Sequence, residues 1–247
     1  MATKRRYGFV IDVSRCIDCR ACLVACSAEN KVGMQYTRIW VRDLGVKGEY
    51  PTLERTFVPY NCMHCENPPC TQVCVSGATY KDKETGLVLV DQEACIGCGF
   101  CVDACPYNAR YLDRERGVVD KCTGCIQRLQ VGQQPACVTT CVGKARLFGD
   151  FNDPSSEVST ALKNAKTIQR LDYELPDGAH TEPNIYFING DVIDPQVQPH
   201  EPAYNLAETS WKGLLIPAVL AGIGASFLGQ ATFFTKQLVE GEKEFEE

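Results

Sequence analysis

Three short apolar runs, each closed by an aspartate, recur along the chain: Gly8-Phe9-Val10-Ile11-Asp12, Gly86-Leu87-Val88-Leu89-Val90-Asp91 and Gly117-Val118-Val119-Asp120. Their length and β-branched content predict strands. Ala78-Thr79-Tyr80, Ala109-Arg110-Tyr111-Leu112 and Ala145-Arg146-Leu147-Phe148 predict partner strands, and the turn residues of Glu84-Thr85-Gly86 and Arg114-Glu115-Arg116-Gly117 close hairpins. The unit is strand, loop, short helix, strand, with little apolar sequence left for an independent core. Beyond residue 150 the pattern changes. Asp153-Pro154-Ser155 marks a helix start with Val158, Leu162 and Ala165 at helical spacing, and Asn184-Ile185-Tyr186-Phe187-Ile188-Asn189 predicts a last strand.

Pro195, Pro199 and Pro202 then form an extended connector into an uncharged stretch, 213–235, of 23 residues. That length is close to the ~20 residues with which a helix spans a bilayer. Gly222, Gly224, Ala225 and Gly229 give small faces for another membrane helix, and Trp211, Phe233 and Phe234 sit near the ends as interfacial anchors. A buried core helix competes with this reading, but a glycine-bearing terminal run has no evident soluble partner. A single transmembrane helix over 211–235, held by the lipid bilayer, is expected, followed by an acidic tail at 236–247. Lys236 and Lys243 after the run, against Lys212 before it, place the C-terminus in the cytoplasm and the rest of the chain on the outer face.

Composition narrows the class. At 45% hydrophobic and 23% charged over 247 residues, the chain is neither disordered nor collagen-like, and its length allows one or two compact domains. A formal net charge of -6 gives no support to nucleic-acid binding. The N-terminus meets Cys16 with no apolar core behind Lys4-Arg5-Arg6, so Arg5-Arg6 is not read as an export signal. The domain would stay cytoplasmic or leave folded with a signal-bearing partner.

The 16 cysteines decide the chemistry. They fall into four quartets: Cys16, Cys19, Cys22, Cys26; Cys62, Cys65, Cys70, Cys74; Cys95, Cys98, Cys101, Cys105; and Cys122, Cys125, Cys137, Cys141. The first and third are C-x2-C-x2-C-x3-C, the third followed by Pro106, which is the bacterial ferredoxin spacing for 4Fe-4S ligation. The second and fourth are stretched forms of the same motif. Three thiolates at two-residue gaps let a loop curl around one face of a cuboidal cluster, and the fourth begins a helix leading to the neighbouring cluster. A disulfide framework needs an oxidising compartment and usually a chain under ~100 residues. Zinc sites use paired C-x2-C knuckles and need no third cysteine after another two-residue gap. The spacing therefore predicts four 4Fe-4S clusters in an α+β, ferredoxin-like, loop-rich fold.

The order of the quartets, Asn61-Cys62-Met63-His64-Cys65-Glu66-Asn67-Pro68-Pro69-Cys70, Cys105-Pro106-Tyr107-Asn108-Ala109-Arg110, and Phe148-Gly149-Asp150 before Asp153-Pro154 resemble a known family. It is the four-cluster iron-sulfur, electron-transfer subunit of the molybdopterin oxidoreductase complexes, most like that of polysulfide reductase, over roughly residues 5 to 190. The resemblance implies a subunit carrying electrons between a molybdenum- or tungsten-pterin catalytic subunit and a multi-helix, quinone-binding membrane subunit. It also implies nested pairing. Cys16, Cys19 and Cys22 join Cys141; Cys122, Cys125 and Cys137 join Cys26; Cys62, Cys65 and Cys70 join Cys105; Cys95, Cys98 and Cys101 join Cys74. The tandem domain over 1–150 then has an outer unit at about 1–60 plus 115–150 and an inner unit at about 61–114, with a C-terminal extension and linker at 151–210. Val75 and Val142 replace prolines usual in the family, which removes no ligand. Cys98 is intact, so a 3Fe-4S cluster is not expected. A membrane tail also resembles subunits of membrane formate dehydrogenase and of a hydrogenase, so the same wiring attached to a hydrogenase, formate dehydrogenase or multihaem cytochrome is the alternative.

With every thiolate committed, no iron has an open position for substrate, and the chain is expected to be a wire without catalysis of its own. Arg20, Lys121 and Lys144 lie beside ligands, where they either tune cluster potentials or are simple solvated charges. His64 is not expected to be a ligand, because Rieske-type sites replace cysteines by histidines in pairs. His180 and His200 lie in polar loops, Trp40 reads as packing, and no glycine-rich phosphate loop supports a nucleotide or flavin.

Overall fold

The computed structural model describes residues 5–190, with 226, 229–232 and 235–236. By contacts the chain forms two units, Met1–His200 and Glu201–Glu247. In the first, β1 (Tyr7–Asp12) runs into the first cysteine loop, α1 (Ala21–Asn30) and a hairpin of β2 (Ile39–Lys47) with β3 (Glu54–Asn61). The second loop leads through α2 (Pro69–Gln72) to the hairpin of β4 (Thr79–Lys81) and β5 (Val88–Val90). The third leads through α3 (Phe100–Asp103) to the hairpin of β6 (Arg110–Asp113) and β7 (Val118–Lys121). After the fourth come α4 (Ile126–Gln130), α5 (Ala136–Thr139), β8 (Arg146–Asp150), α6 (Glu157–Asn164), β9 (Ile168–Gln169) and β10 (Ile185–Ile188).

β1 is buried along its middle because both faces of its sheet are covered, the condition under which a strand reads as a continuous apolar run. The sheet order is β8-β1-β10-β9, with β8 antiparallel and β10 parallel to β1. On one face Val158 of α6 packs with Val10 and Ile188. On the other, Phe9, Ile11, Phe148, Ile185 and Phe187 join a core that contains Cys22, Cys26, Cys62, Cys65, Cys122 and Cys137. The cysteines are part of the core, as the scarcity of other apolar sequence predicts. Residues 168–188 thus complete the same sheet as the N-terminal strand. The predicted helix begins later than its Asp-Pro signal: Asp153 Oδ1 accepts from the Ser155 N–H in a turn (2.8 Å), and Ser156 is the cap, its Oγ accepting from the Ser159 N–H (3.2 Å).

In the second unit, residues 226, 229–232 and 235–236 are helical, with Thr232 Oγ1 donating to the Gly229 carbonyl at 2.8 Å. Among the described residues no helix is long and apolar enough to cross a membrane. Most of the expected 211–235 span, with His200 and the connector prolines, lies outside the described residues.

Candidate metal centres

All four cysteine loops open with one backbone device. The residue before the second cysteine is left-handed in each: Asp18 (φ 50°), His64 (46°), Gly97 (67°) and Gly124 (65°). The turn brings an amide back to the first sulfur, so that the Gly124 N–H donates to Cys122 Sγ at 3.4 Å and the Asp18 N–H bonds Cys16. At Gly97 a Cβ would also lie 2.2 Å from the Gly117 carbonyl oxygen, so space as well as conformation selects glycine. His64 adopts the same conformation with a side chain, at a cost of roughly 1–2 kcal/mol. Local bonds offset it: Nδ1 accepts from the Val88 N–H at 3.1 Å, and its carbonyl accepts from Asn184 Nδ2 at 2.9 Å.

A second device follows the last cysteine of the second, third and fourth quartets. Gly77, Asn108 and Lys144 are left-handed, each precedes a buried alanine, and the chain then turns an N–H onto the sulfur. The Thr79 N–H reaches Cys74 Sγ and the Ala145 N–H reaches Cys141 Sγ, both at 3.2 Å, while the Ala109 N–H bonds Cys105. The first quartet continues instead into the longer α1, and Asn30 Nδ2 lies 3.6 Å from Cys26 Sγ.

The loops gather the thiols across the sequence. Cys16, Cys19, Cys22 and Cys141 line one pocket, and Arg146 forms part of its wall. Cys26 lies among Cys122, Cys125 and Cys137, and Cys65 among Cys62, Cys70 and Cys105. Cys101 and Cys95 pack around Val88 and Val119 with Cys70, and α2, which leads to Cys74, lies against α3, which carries Cys101. Cys22 feels the charge of Cys137, and Cys122 that of Cys62, so successive groups adjoin one another. All sixteen are free thiols, with Cys19 and Cys98 exposed near the two ends of this series. Among the described residues, no three His, Cys, Asp or Glu side chains close on one point as a lone metal ion requires.

Burial makes these sites electrically incomplete as bare protein. It pushes the Cys22 and Cys70 thiols up to about 11 and Cys122 to about 12, and it raises Cys26 and Cys65 as well, so metal must displace protons to enter. Cations are buried beside them: Arg110 (4% exposed), Lys121 (0%) and Arg146 (1%). Arg38, also buried, has its own counter-charge, a bidentate pair with Asp120 at 2.7–3.1 Å. Burial alone would raise the Asp120 carboxyl, yet Arg38 and the Tyr111 hydroxyl hold it below the ordinary value. The buried Nε of Arg110, Nε and Nη1 of Arg146 and Nε2 of His64 find no hydrogen-bond partner among the described residues. Soft sulfur donors, buried positive charge and unspent N–H donors together fit an anionic, sulfide-bearing cluster.

Of the three expected tuning charges, Arg20 is exposed and pairs with Asp18 at 3.1 Å, Lys144 is exposed, and Lys121 is fully buried. Sequence reading passed over Arg110 and Arg146. Their signal was the repeat: each stands five residues after the last cysteine of its quartet, Cys105 or Cys141. Trp40 is packing, stacked on Tyr60 with ring centroids 6.0 Å apart, and His180 is more than half exposed.

Residues 53–151 match the 4Fe-4S dicluster domain family and residues 13–33 a 4Fe-4S binding domain. One subunit of the tetrathionate reductase of Salmonella typhimurium is 39% identical over 189 residues, 76% of this chain and 74% of that protein. The chain belongs to the iron-sulfur subunits of molybdopterin-type oxidoreductase complexes. Other members similar to it are the putative dimethyl sulfoxide reductase iron-sulfur subunit of Halobacterium salinarum (40%, covering 75% of this chain and 80% of that one) and one subunit of the sulfite dehydrogenase of Allochromatium vinosum (36%, covering 78% and 87%). As an iron-sulfur subunit of this type the chain carries electrons within an oxidoreductase complex and is not the catalytic subunit.

Proposed function

We propose that the chain holds four 4Fe-4S clusters and relays electrons through them between a molybdenum- or tungsten-pterin catalytic subunit and a quinone-reactive membrane subunit. Cys16, Cys19, Cys22 and Cys141 would hold the first cluster, Cys26, Cys122, Cys125 and Cys137 the second, Cys62, Cys65, Cys70 and Cys105 the third, and Cys74, Cys95, Cys98 and Cys101 the fourth. The observation that carries this reading is the crossed gathering itself, in which Cys141 closes the pocket of the first three cysteines and Cys26 lies among those of the fourth quartet. The names of the relatives, which refer to tetrathionate, dimethyl sulfoxide and sulfite, favour a sulfur compound as the substrate of the complex. The uncharged run 213–235 supports anchorage in the bilayer, and the flanking lysines support a cluster domain on the outer face.

Affinity purification of the tagged chain from anaerobically detergent-solubilised membranes, with mass spectrometry of what co-purifies, tests the assignment. A pterin-binding subunit together with a multi-helix membrane subunit is expected. A hydrogenase, a formate dehydrogenase or a multihaem cytochrome as the redox partner would replace the proposed complex, and recovery from the soluble fraction alone would remove the anchor.

A further inference from the structure

Arg146, Lys121 and Arg110 are closed off from water, and no carboxylate among the described residues lies within ion-pair distance of any of them. A buried cation without a counter-charge is strongly disfavoured, so each site calls for negative charge that the polypeptide does not supply as carboxylate. Their positions follow a rule. Arg146 lies against Cys137, Cys22 and Cys122, between the first and second cysteine groups, and walls the pocket of the first. Lys121 lies among Cys62, Cys122 and Cys70, between the second and third groups. Arg110 donates from Nη2 to Cys70 Sγ at 3.0 Å and lies among Cys70, Cys62, Cys101 and Cys105, between the third group and the fourth. Each of the three gaps holds one cation.

We infer that Arg146, Lys121 and Arg110 are positioning residues for electron transfer, each fixing a positive charge between two neighbouring clusters so that both are easier to reduce and each repels less strongly an electron placed on the other. The inference rests on the four-cluster reading. A 4Fe-4S cluster with four thiolates carries about -2 when oxidised and about -3 when reduced, so neighbours in a dry interior repel one another as electrons arrive. One electron passing between neighbours exchanges their charges and needs no proton, and a cation in the gap opposes the repulsion on both sides at once. The side-chain chemistry suits the two kinds of gap. Within each pair of groups stands an arginine, whose planar fork presents several fixed donors: Arg110 uses Nη2 on Cys70 Sγ and Arg146 uses Nη2 on Asn61 Oδ1, while Arg110 Nε and Arg146 Nε and Nη1 have no partner among the described residues. At the junction between pairs stands a lysine, whose ammonium bonds the Val88 and Cys122 carbonyls and offers the sulfur groups chiefly its charge. The repeat supports the assignment as well. Arg110 and Arg146 occupy one equivalent position, and the equivalent residue after Cys74, Thr79, accepts from Arg110 Nη1 at 3.1 Å and so helps to hold the cation already there.

The test is an anaerobic redox titration of the purified complex, followed by electron paramagnetic resonance, for Arg146→Met, Lys121→Met and Arg110→Met. Iron and sulfide analysis of the unaltered complex comes first: a complement below four clusters in this chain refutes the four-cluster reading, whatever the potentials do. With four present, Arg146→Met should lower the potentials of two centres, Arg110→Met those of the other two, and Lys121→Met one from each pair. Unchanged potentials, or the same centres shifting in all three variants, overturn the inference. Where a methionine variant loses a cluster, Arg146→Lys, Arg110→Lys and Lys121→Arg decide: these keep the charge and should keep the potentials close to the parent's. A fully loaded charge-retaining variant with lowered potentials would refute the role of charge.

Discussion

The sheet region and the hairpin region of this molecule hold their shape by different means. Around β1, β8 and β10 large carbon side chains sit between the sheet and the cysteines of the main core: Phe9, Phe148, Ile185 and Phe187 are fully buried, and the Phe9 and Phe148 rings meet edge to face at 4.8 Å. Around β4–β5 and β6–β7 the strands are three or four residues long, and the buried cluster they cover is Cys70, Val88, Cys101 and Val119. Isolated two-stranded hairpins are marginal in water. Half of that buried set is thiol, so on the four-cluster reading iron and sulfide would do there what phenylalanine does in the sheet. One polypeptide can thus depend on its cofactor unevenly.

Stripping the metal should expose that difference most strongly. After anaerobic chelation, hydrogen exchange followed by mass spectrometry should show amides of residues 79–90 and 110–121 losing protection while those of β1, β8 and β10 stay slow. Simultaneous loss in both regions would erase the distinction. Phe148→Ala probes the other side: it should cost about 3–5 kcal/mol, read as a lowered thermal midpoint of the loaded protein. An effect below about 1 kcal/mol would mean that carbon packing matters little even in the sheet.

A polar contact between the segment ahead of β2 and β7 should make the hairpin region depend on pH. Arg38→Ala leaves Asp120 buried, with Arg116 (3.1 Å), the Tyr111 hydroxyl (2.7 Å) and the Lys121 N–H (2.7 Å) as remaining partners, and should destabilise by about 3 kcal/mol. Because the folded carboxyl lies below its ordinary value, its contribution is complete above the ordinary carboxylate range and is lost as pH falls through the lower, folded value. Asp120→Asn should therefore flatten the acid end of the bleaching-rate profile; an unchanged profile would show that this pair is not the acid-sensitive joint. The smallest effect belongs to Arg20→Ala at the exposed end of the series, under about 1 kcal/mol for a solvated pair, and a larger loss of cluster stability would mean that the charge reaches the metal site.

What could be read in advance was local. The aspartate-closed runs became β1, β5 and β7, the alanine-led runs became β4, β6 and β8, and the cysteine spacing announced the loops, because each signal lies within one short stretch of chain. The β2–β3 hairpin was missed: a bulge between Asp43 and Val46 breaks its alternation, and Pro59 sits within it. The parallel pairing of Phe9 with Ile185 leaves no local trace at all. Arg110 and Arg146 were overlooked for the opposite reason, since a charged residue in a short strand ordinarily faces water. Their burial makes sense only once the sulfur groups are known to flank them.

The place of β10 has a consequence for how the protein is made. Synthesis delivers Tyr7–Asp12 first, yet that strand obtains its antiparallel neighbour only with Arg146–Asp150 and its parallel neighbour only with Ile185–Ile188. Until then the leading strand waits with both edges unpaired. In this sheet the strand made first is the one completed late, and a chain cut short before residue 185 would leave its own beginning unfinished.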